Sequence, residues 1–261
     1  MPTTKVPILI TFPPSLDSEL SRFLTGHYGI EHEEHRHTLY FCFGATLWHG
    51  FTVIFPLLYG DNLKLVGPRP MADYFDARST PDLRLLPQDE AQRRQVESDW
   101  PLFNETLAFA TAKFAYYHLL PHRDMMIAPL SEGTPAFEQK AVRSAYWLFA
   151  GLLKLLLRLS AKAAQDNLDQ ARKIFDTVDS RLAGGQEYLV GDRLTLSDVA
   201  FAVAAAPVVL PDSYGGPIPA YDQMPAPVQS AVNEMRARPA GAFALRIYAE
   251  ERRRVGGRLA A

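Results

Sequence analysis

The sequence is poor in several features that would narrow its class. Cys42 is its single cysteine, which excludes an intrachain disulfide framework and any zinc site built from several cysteines. The 27 basic and 29 acidic residues leave a formal net charge of −2, so the charge does not favour nucleic acid or an anionic membrane as a partner. The apolar stretch "VPILITF" is short and is followed by prolines, unlike a signal peptide. We therefore expect a cytoplasmic globular protein.

Long uninterrupted hydrophobic runs are also missing. The segment "SAYWLFAGLLKLLLRLSAKAA", from Ser144 to Ala164, contains Lys154 and Arg158, and its apolar run is about half of the roughly 20 residues that a bilayer requires. This pattern favours an amphipathic helix whose wide apolar face packs inside a helical domain. We expect no membrane partner.

Up to about residue 86 the pattern is mixed. The run "VPILITF" predicts a strand, "LDSELSRFLTGHYG" a helix and "IEHEEHRH" a second strand. The segments "FPLLY" and "LKLV" flank a turn at residues 59–62, which is typical of a hairpin, and "RPMADYFDAR" predicts a helix after it. This order indicates a small α/β layered arrangement.

Beyond residue 86 the predicted elements are all helices, separated from the first half by a polar, proline-containing segment at residues 78–90. The proline- and glycine-rich residues 206–227 predict a long loop over the helical part. The predicted helices cover Gln88 to His118, Phe137 to Ala164, Asn167 to Leu182, Leu196 to Val209, and Pro227 to Arg238.

The stretch "YLVGDRLTLSDVAFA", from Tyr188 to Ala202, predicts the start of one of these helices. Thr195 and Asp198 have the spacing of a capping box, in which each side chain satisfies a backbone N–H of the other residue. The helix that follows has no polar face, which predicts that protein surrounds it on all sides. By itself the box indicates no function.

Taken together, these two halves resemble the cytosolic glutathione transferases. The resemblance implies an α/β thioredoxin-like N-terminal domain at residues 1–80, followed by an all-α glutathione transferase C-terminal domain at residues 87–250. It also implies glutathione as co-substrate, a hydrophobic electrophile as second substrate, a homodimer, a cytoplasmic location and a role in detoxification. Fold alone leaves the substrate open.

The turn "TFPPSLDSEL", from Thr11 to Leu20, is similar to the family's catalytic turn, in which an aromatic residue and a proline precede a serine. By this match Ser15 stabilises the thiolate, Ser18 is the reserve candidate, and Pro13 borders the acceptor pocket. A hydroxyl at the positive end of a helix favours the thiolate over the thiol. The alternative is that Ser15 only caps its helix.

The segment "VIFPLLYG" contains the second motif. In thioredoxin-like folds the matching proline is cis and the residue before it holds the cysteinyl part of glutathione, which here means Pro56 and Phe55. The alternative is a trans proline at the start of a strand.

Two regions depart from the family pattern. The acid and serine that usually hold the γ-glutamyl carboxylate are replaced by Gly67 and Pro68, neither of which has a hydroxyl. Arg69 offers a charged alternative, or is a surface residue. The segment from Thr38 to Phe51 is predicted to be an aromatic-rich connection in which His49 helps to hold the tripeptide.

The remaining candidates are aromatic or histidine residues. In relatives the helix containing Tyr116 and Tyr117 lines the acceptor pocket, although adjacent residues point in different directions, so at least one is expected to face the core. His32, His35 and His37 lie on a predicted solvated edge strand, and we expect no metal site. Cys42 is predicted to be a core residue rather than a reactive thiol.

The leading function from sequence is therefore transfer of a thiol to a hydrophobic electrophile. The alternative is a binding protein that keeps this fold and does not use glutathione in the usual way. Thiol-disulfide exchange is disfavoured because no cysteine follows the first strand.

Overall fold

The computed structural model of the protein describes residues 6–252 and the backbone of Arg258–Leu259. The elements of the first half, in chain order, are β1 (Ile8–Thr11), α1 (Leu16–His27), β2 (Glu33–Arg36), α2 (Leu39–Gly50), β3 (Leu57–Gly60), β4 (Leu63–Val66) and α3 (Pro68–Asp76), and a final strand is β5 (Arg258–Leu259). The strands of the described residues form one mixed sheet in the order β4-β3-β1-β2-β5, in which β1 runs parallel to β2 and antiparallel to β3.

The second half is helical. A long helix formed by α4, a wider π-type stretch at Pro101–Leu107 and α5 runs antiparallel to α9, and α10 is packed between these helices and α12. The helices are α4 (Glu90–Trp100), α5 (Ala108–Leu119), α6 (Arg123–Ser131), α7 (Ala136–Ser144), α8 (Tyr146–Leu156), α9 (Ala161–Leu182), α10 (Leu196–Val209), α11 (Ala226–Arg236) and α12 (Pro239–Glu251); β5 (Arg258–Leu259) pairs with β2. None of the helices within residues 6–252 combines the length and the apolar character needed to cross a bilayer.

The predicted start of α10 is confirmed. Oxygen atoms of the buried Asp198 carboxylate accept hydrogen bonds from the backbone N–H of Thr195 and of Leu189, both at 2.7 Å, and the Thr195 hydroxyl donates to the same group at 2.7 Å. Every residue of α10 except Pro207 is buried. Because this start is buried, the Asp198 side chain provides the acceptor for the N–H of the N-cap residue Thr195 and for that of Leu189 in the preceding loop.

Three predictions about the elements were wrong. The segment from Thr38 to Phe51 is not a connection, because Leu39–Gly50 forms α2. The predicted single helix from Phe137 to Ala164 is divided among α7, α8 and the start of α9. The helices α6 and α12 were not predicted; Pro129 inside α6 is a residue that normally argues against a helix.

The connection between the two halves is fixed rather than free. The Asp76 carboxylate accepts from the backbone N–H of Leu85 at 2.6 Å and of Leu86 at 3.0 Å, and Leu85 O accepts from Leu196 N at 2.9 Å. Both leucines are buried. The sheet half is thereby tied to the first turn of α10, and domain limits at residues 80 and 87 stay a prediction.

Candidate functional site

A cleft of about 320 Å³ separates the sheet half from the helical half. Its walls come from the β1–α1 turn, α2, the connection before β3, α5 and α8. Most of the lining is apolar, and the polar side chains that line it are those of Ser15, Asp17, Asn104, Lys113 and Tyr116. A small set of polar groups in an apolar cleft is the usual composition of a small-molecule site.

Buried ion pairs hold the β1–α1 turn in place from the side opposite the cleft. The guanidinium of Arg22 donates to Pro13 O at 3.2 Å and to the Glu34 carboxylate at 2.7 Å. Burial alone would raise the pKa of Glu34, but the guanidinium groups of Arg22 and Arg36 lower that pKa to about 2. The turn that presents Ser15 is therefore braced by permanently charged groups.

Ser15 lines the cleft and also caps α1. Its Oγ accepts a long hydrogen bond, 3.4 Å, from the backbone N–H of Ser18. Capping uses a lone pair of this oxygen, whereas the O–H proton has no acceptor among the described residues. The two interpretations of Ser15 are therefore compatible, because one hydroxyl can accept from its own helix and donate into the cleft.

Ser18, the reserve candidate, does not reach the cleft. It is fully buried, and its Oγ accepts from the backbone N–H of Phe12 at 3.2 Å. Position 18 lies one turn along α1, where the side chain faces back toward β1. The prediction for Ser18 was wrong because the hydroxyl holds the turn together instead of lining the cleft.

The Phe55–Pro56 peptide bond is cis, as predicted. The Phe55 side chain lines the cleft and contacts the ring of Phe12 edge-on, with 6.0 Å between ring centroids. No described residue hydrogen-bonds to the Phe55 backbone N–H or C=O, whereas Pro56 O accepts from Gly67 N at 2.8 Å. Phe55 therefore has free backbone groups beside the cleft.

The start of α3 lacks the donors of an anion site. Gly67 is the N-cap, and its N–H is used by Pro56 O. Pro68 and Pro70 occupy two of the first three helical positions and have no N–H. Neither Gly67 nor Pro68 lines the cleft. The sequence predicted that the side chains at this position cannot donate to a carboxylate. The backbone at Gly67, Pro68 and Pro70 does not supply that donor either.

Arg69 does not replace that anchor. Its guanidinium pairs with Asp73 at 3.1 Å and with Glu97 at 2.6 Å, and it lies over the ring of Trp100. It borders a separate polar groove between α3 and α4. The expectation of a charged fork in the cleft was wrong because two carboxylates already bind this side chain.

His49 is also turned away from the cleft. The imidazole is exposed and stacks on Tyr59, with ring centroids 4.7 Å apart, on the outer side of α2. Burial and the neighbouring His35 and His37 lower its pKa. The residues of α2 that do line the cleft are Leu39 and Phe43.

The three residues predicted for the acceptor pocket have different positions. Tyr116 lines the cleft, as predicted. Tyr117 borders a groove on the other side of α8, together with Trp147. Pro13 is buried against the Arg22 guanidinium, and Pro14 takes its place in the lining.

Two charged residues of the cleft were missed. Asp17 follows Ser15 by two positions; burial raises the pKa of its carboxyl to about 6, and a hydrogen bond from Asn104 across the cleft opposes this rise. Lys113 lines the cleft from α5, with its Nζ 5.8 Å from the centroid of the Phe109 ring. An acidic residue in the first turn of a helix, as Asp17 is in α1, is common and indicates no site, and periodicity alone does not reveal which charges of α5 face the cleft.

An inner cavity of about 80 Å³ continues the cleft into the helical half. Tyr116 and Leu16 line both spaces. The loop at residues 210–225 closes the far end, and Tyr214 of this loop donates to Pro14 O at 3.3 Å. This loop therefore contacts the β1–α1 turn, in addition to covering the helical half as expected.

Two of the histidines before α2 have partners within the protein. His37 Nδ1 lies 2.7 Å from the Glu138 carboxylate, and buried His32 contacts Ile30 O through Nδ1 at 3.0 Å. Within the described part of the chain, no three His, Cys, Asp or Glu side chains are grouped to hold a metal ion.

This sheet, helix order and cleft define the fold class: a thioredoxin-like half followed by an all-helical half, which is the fold of glutathione S-transferases. Residues 140–211 match the family model "Glutathione S-transferase, C-terminal domain". No curated protein matches the sequence significantly.

Solved structures support the same fold over nearly the whole chain. A glutathione S-transferase from Sinorhizobium meliloti is 20% identical, with 97% of this chain and 96% of that chain covered and a TM-score of 0.53. Glutathione transferase F7 from Populus trichocarpa is 16% identical, with 92% and 99% covered and a TM-score of 0.55. A glutathione transferase from Pseudomonas putida with bound glutathione disulfide is 14% identical, with 95% and 94% covered and a TM-score of 0.55. At these identities the likeness concerns the fold.

Proposed function

We propose that this protein transfers a thiol, with glutathione as the first co-substrate to test, to an apolar electrophile held in the cleft. One observation carries the proposal: the Ser15 hydroxyl faces the cleft with a proton that no described residue accepts. Its position at the positive end of α1 favours an anion beside it. A thiolate at this place accepts the hydrogen bond, and its pKa falls accordingly.

The reaction needs little else from the protein. The thiol proton leaves to solvent, the sulfur bonds to the electrophilic carbon, and the leaving group departs with its electron pair. The free backbone groups of Phe55 are suited to orient the thiol as a peptide strand would be oriented. The apolar walls and the inner cavity hold the electrophile, so rate enhancement comes from proximity together with a larger thiolate fraction.

We expect glutathione to bind this cleft weakly, because the acid and serine that hold its γ-glutamyl carboxylate in relatives are replaced by Gly67 and Pro68. Glutathione has two carboxylates, and the cationic group that lines the cleft is Lys113. Arg69 and His49 point elsewhere, and the start of α3 offers few donors. We infer a KM for glutathione at or above about 1 mM, the upper end of the usual range.

The mostly apolar lining of the cleft and of the inner cavity favours a second candidate, an apolar-ligand binding protein without transferase activity. It requires the apolar cleft and inner cavity but no thiol. Rates with an aryl halide at glutathione concentrations well above about 1 mM distinguish the two, because such weak binding by itself predicts little retention on immobilised glutathione. No rate at these concentrations, together with binding of an apolar fluorescent ligand, would favour the carrier.

Three substitutions separate the roles of Ser15. Ser15→Ala removes both the cap and the donor, Ser15→Asp keeps a cap acceptor but cannot donate to a thiolate, and Ser15→Thr keeps both. We expect kcat/KM to fall on the order of 100-fold in the first two variants and less than about tenfold in the third. Thermal unfolding reports capping separately. Rates that follow stability alone would leave Ser15 with capping only.

Choice of thiol tests the altered anchoring. With the same electrophile, we expect glutathione and 2-mercaptoethanol to differ in kcat/KM by no more than about tenfold, because few protein groups recognise the carboxylates. A much larger preference for glutathione would indicate binding groups for its carboxylates that the cleft geometry does not account for.

Homodimer formation, cytoplasmic location and a detoxification role belong to this proposal and rest on the family resemblance.

A further inference from the structure

The outer surface beside the cleft is unusually apolar. Phe51 is 88% exposed, Trp48 80% and Leu155 74%, although all three are large hydrophobic residues. They belong to a surface that we name the apolar face, defined by Trp48, Phe51, Ile54, Leu148, Leu152 and Leu155, each more than 40% exposed. Monomeric proteins seldom expose so many large apolar side chains together.

The two parts of the apolar face lie on chain segments that border the cleft from opposite sides. The first part is the end of α2 and the connection before β3, and the second part is the outer side of α8. Ile54 and Leu156 line the cleft from these two sides. Within α8 the buried residues Tyr146, Ala150 and Leu153 face the protein, whereas Leu148, Leu152 and Leu155 face outward at helical spacing.

Cations border the apolar face. Between Ser144 and Gln165 the sequence contains Lys154, Arg158 and Lys162 and no carboxylate. Residues 37–60 contain no carboxylate either, and Lys64 Nζ lies 5.9 Å from the centroid of the Phe51 ring. The carboxylates nearest in sequence to these two segments are Glu34, Asp61, Glu138 and Asp166, and Asp166 pairs with Lys162 at 2.6 Å. Lys64, Lys154 and Arg158 are therefore the cations that remain for a partner.

We propose that the apolar face docks on the surface of a bilayer that contains anionic phospholipid, with α8 parallel to the bilayer plane. The apolar side chains of α8 would enter the acyl boundary while the flanking cations contact phosphate groups. A second copy of the chain fits less well, because pairing this face with itself would bring Lys64, Lys154 and Arg158 of both copies together. The cleft would then open toward the lipid. This surface was expected from sequence to be packed inside the protein, with no membrane partner, and the proposal does not depend on thiol transfer.

Vesicle co-sedimentation tests the proposal directly. We expect the protein to sediment with vesicles of phosphatidylcholine and phosphatidylglycerol, and less with phosphatidylcholine alone. Trp48 and Trp147 are both exposed, so tryptophan emission should shift to shorter wavelength when the anionic vesicles are added. Raising the salt concentration should weaken the anionic preference.

Variants locate the contact. Leu152→Glu combined with Leu155→Glu should reduce the bound fraction at least about tenfold, because charges oppose insertion of the helix. Val6→Glu is the matched control, since Val6 is 49% exposed outside the apolar face. Lys64→Glu combined with Lys154→Glu should selectively remove the preference for anionic vesicles. Circular dichroism and thermal unfolding verify that each variant is folded.

Three results would overturn the proposal. The first is that wild-type protein does not bind anionic vesicles. The second is that the leucine double variant binds them as well as wild type. The third is that light scattering shows a dimer that this double variant dissociates, with no vesicle binding by wild type; the apolar face would then be an interface between two copies of the chain.

Discussion

The two most apolar helices of the molecule, α10 and α8, have opposite environments. In α10 all residues but Pro207 are buried, and the N–H of its N-cap residue Thr195 donates to Asp198. In α8 three residues out of eleven are buried, and Leu148, Leu152 and Leu155 face outward. Both sequences lack a polar face over most of their length.

This difference shows that apolar composition alone does not identify the inner helices of a fold. The start of α10 contains the buried Thr195–Asp198 pair, whose hydrogen bonds replace those that water would make at an exposed helix start. The start of α8 has no such pair; Ala145 precedes it without a side-chain cap. In this protein the enclosed helix begins with a capping box. The exposed apolar helix begins without a side-chain cap and has cations near it in sequence.

The largest expected effect concerns the buried start of α10. Asp198→Ala would leave the N–H groups of Thr195 and Leu189 without their acceptor in the core. We expect a loss of unfolding free energy on the order of 4 kcal/mol, since each unsatisfied buried group costs about 1–3 kcal/mol. Urea unfolding measures it. A loss below about 1 kcal/mol would mean that α10 does not need this internal acceptor.

A matched pair of leucines tests burial in the two helices. Leu196 of α10 is fully buried and Leu155 of α8 is 74% exposed. Leu196→Ala should cost about 2–5 kcal/mol, and Leu155→Ala should stay within about 0.5 kcal/mol. The same unfolding assay serves both variants. Similar losses at the two positions would show that the outer side of α8 is covered in solution.

Two carboxylates, Asp198 in α10 and Asp17 in the cleft, allow the comparison to be tested by the pH dependence of stability. Burial raises the pKa of both Asp198 and Asp17 to about 6, but Asp198 has three donors, whereas Asp17 lies in the cleft with Asn104 as its partner. Because the folded-state pKa of Asp17 lies above its ordinary value of 3.8, ionisation destabilises the fold as pH rises through about 4 to 6.

Asp17→Asn should therefore stabilise the protein by about 1–2 kcal/mol near pH 7 after allowance for partial exposure, and have little effect below about pH 4. Unfolding curves at both pH values test this sign. Removing an anion beside the proposed thiolate should also shift the pH-rate profile toward lower pH. A stabilisation that is equal at both pH values would contradict the raised pKa.

The smallest effect is expected at Arg69, which lies outside both the buried core and the cleft. Arg69→Ala removes partly exposed ion pairs with Asp73 and Glu97, which should cost less than about 1 kcal/mol. Its kcat/KM for glutathione should equal that of wild type. A higher KM for glutathione in Arg69→Ala, with kcat unchanged, would indicate that Arg69 does contact glutathione.

Much of the architecture was predictable because it depends on local patterns. The β3–β4 hairpin follows from its turn residues, and α10 begins at Leu196 as the Thr195–Asp198 box predicts. In contrast, α2 was missed because its aromatic residues and Gly44 weaken a helical pattern. The helix α6 was missed for a similar reason, since it contains Pro129.

The site was less predictable, because the direction of a side chain depends on partners that are distant in sequence. Arg69 is held by Glu97 of α4, and Pro13 is held by Arg22 on the side away from the cleft. Asn104 approaches Asp17 from a helix that is nearly 90 positions further along, which no local pattern reveals. The positions of Ser15 and of the cis Phe55–Pro56 bond follow their motifs because short chain segments fix them.

The enclosure of Cys42 has a practical consequence. This sulfur is fully buried in α2, and burial together with the nearby Glu138 raises the pKa of its thiol far above the ordinary value. Alkylating reagents attack the anionic form, which this residue does not supply at neutral pH. The folded protein should resist maleimides, so any thioether that forms during turnover with a reactive electrophile contains the sulfur of the added thiol and not that of Cys42.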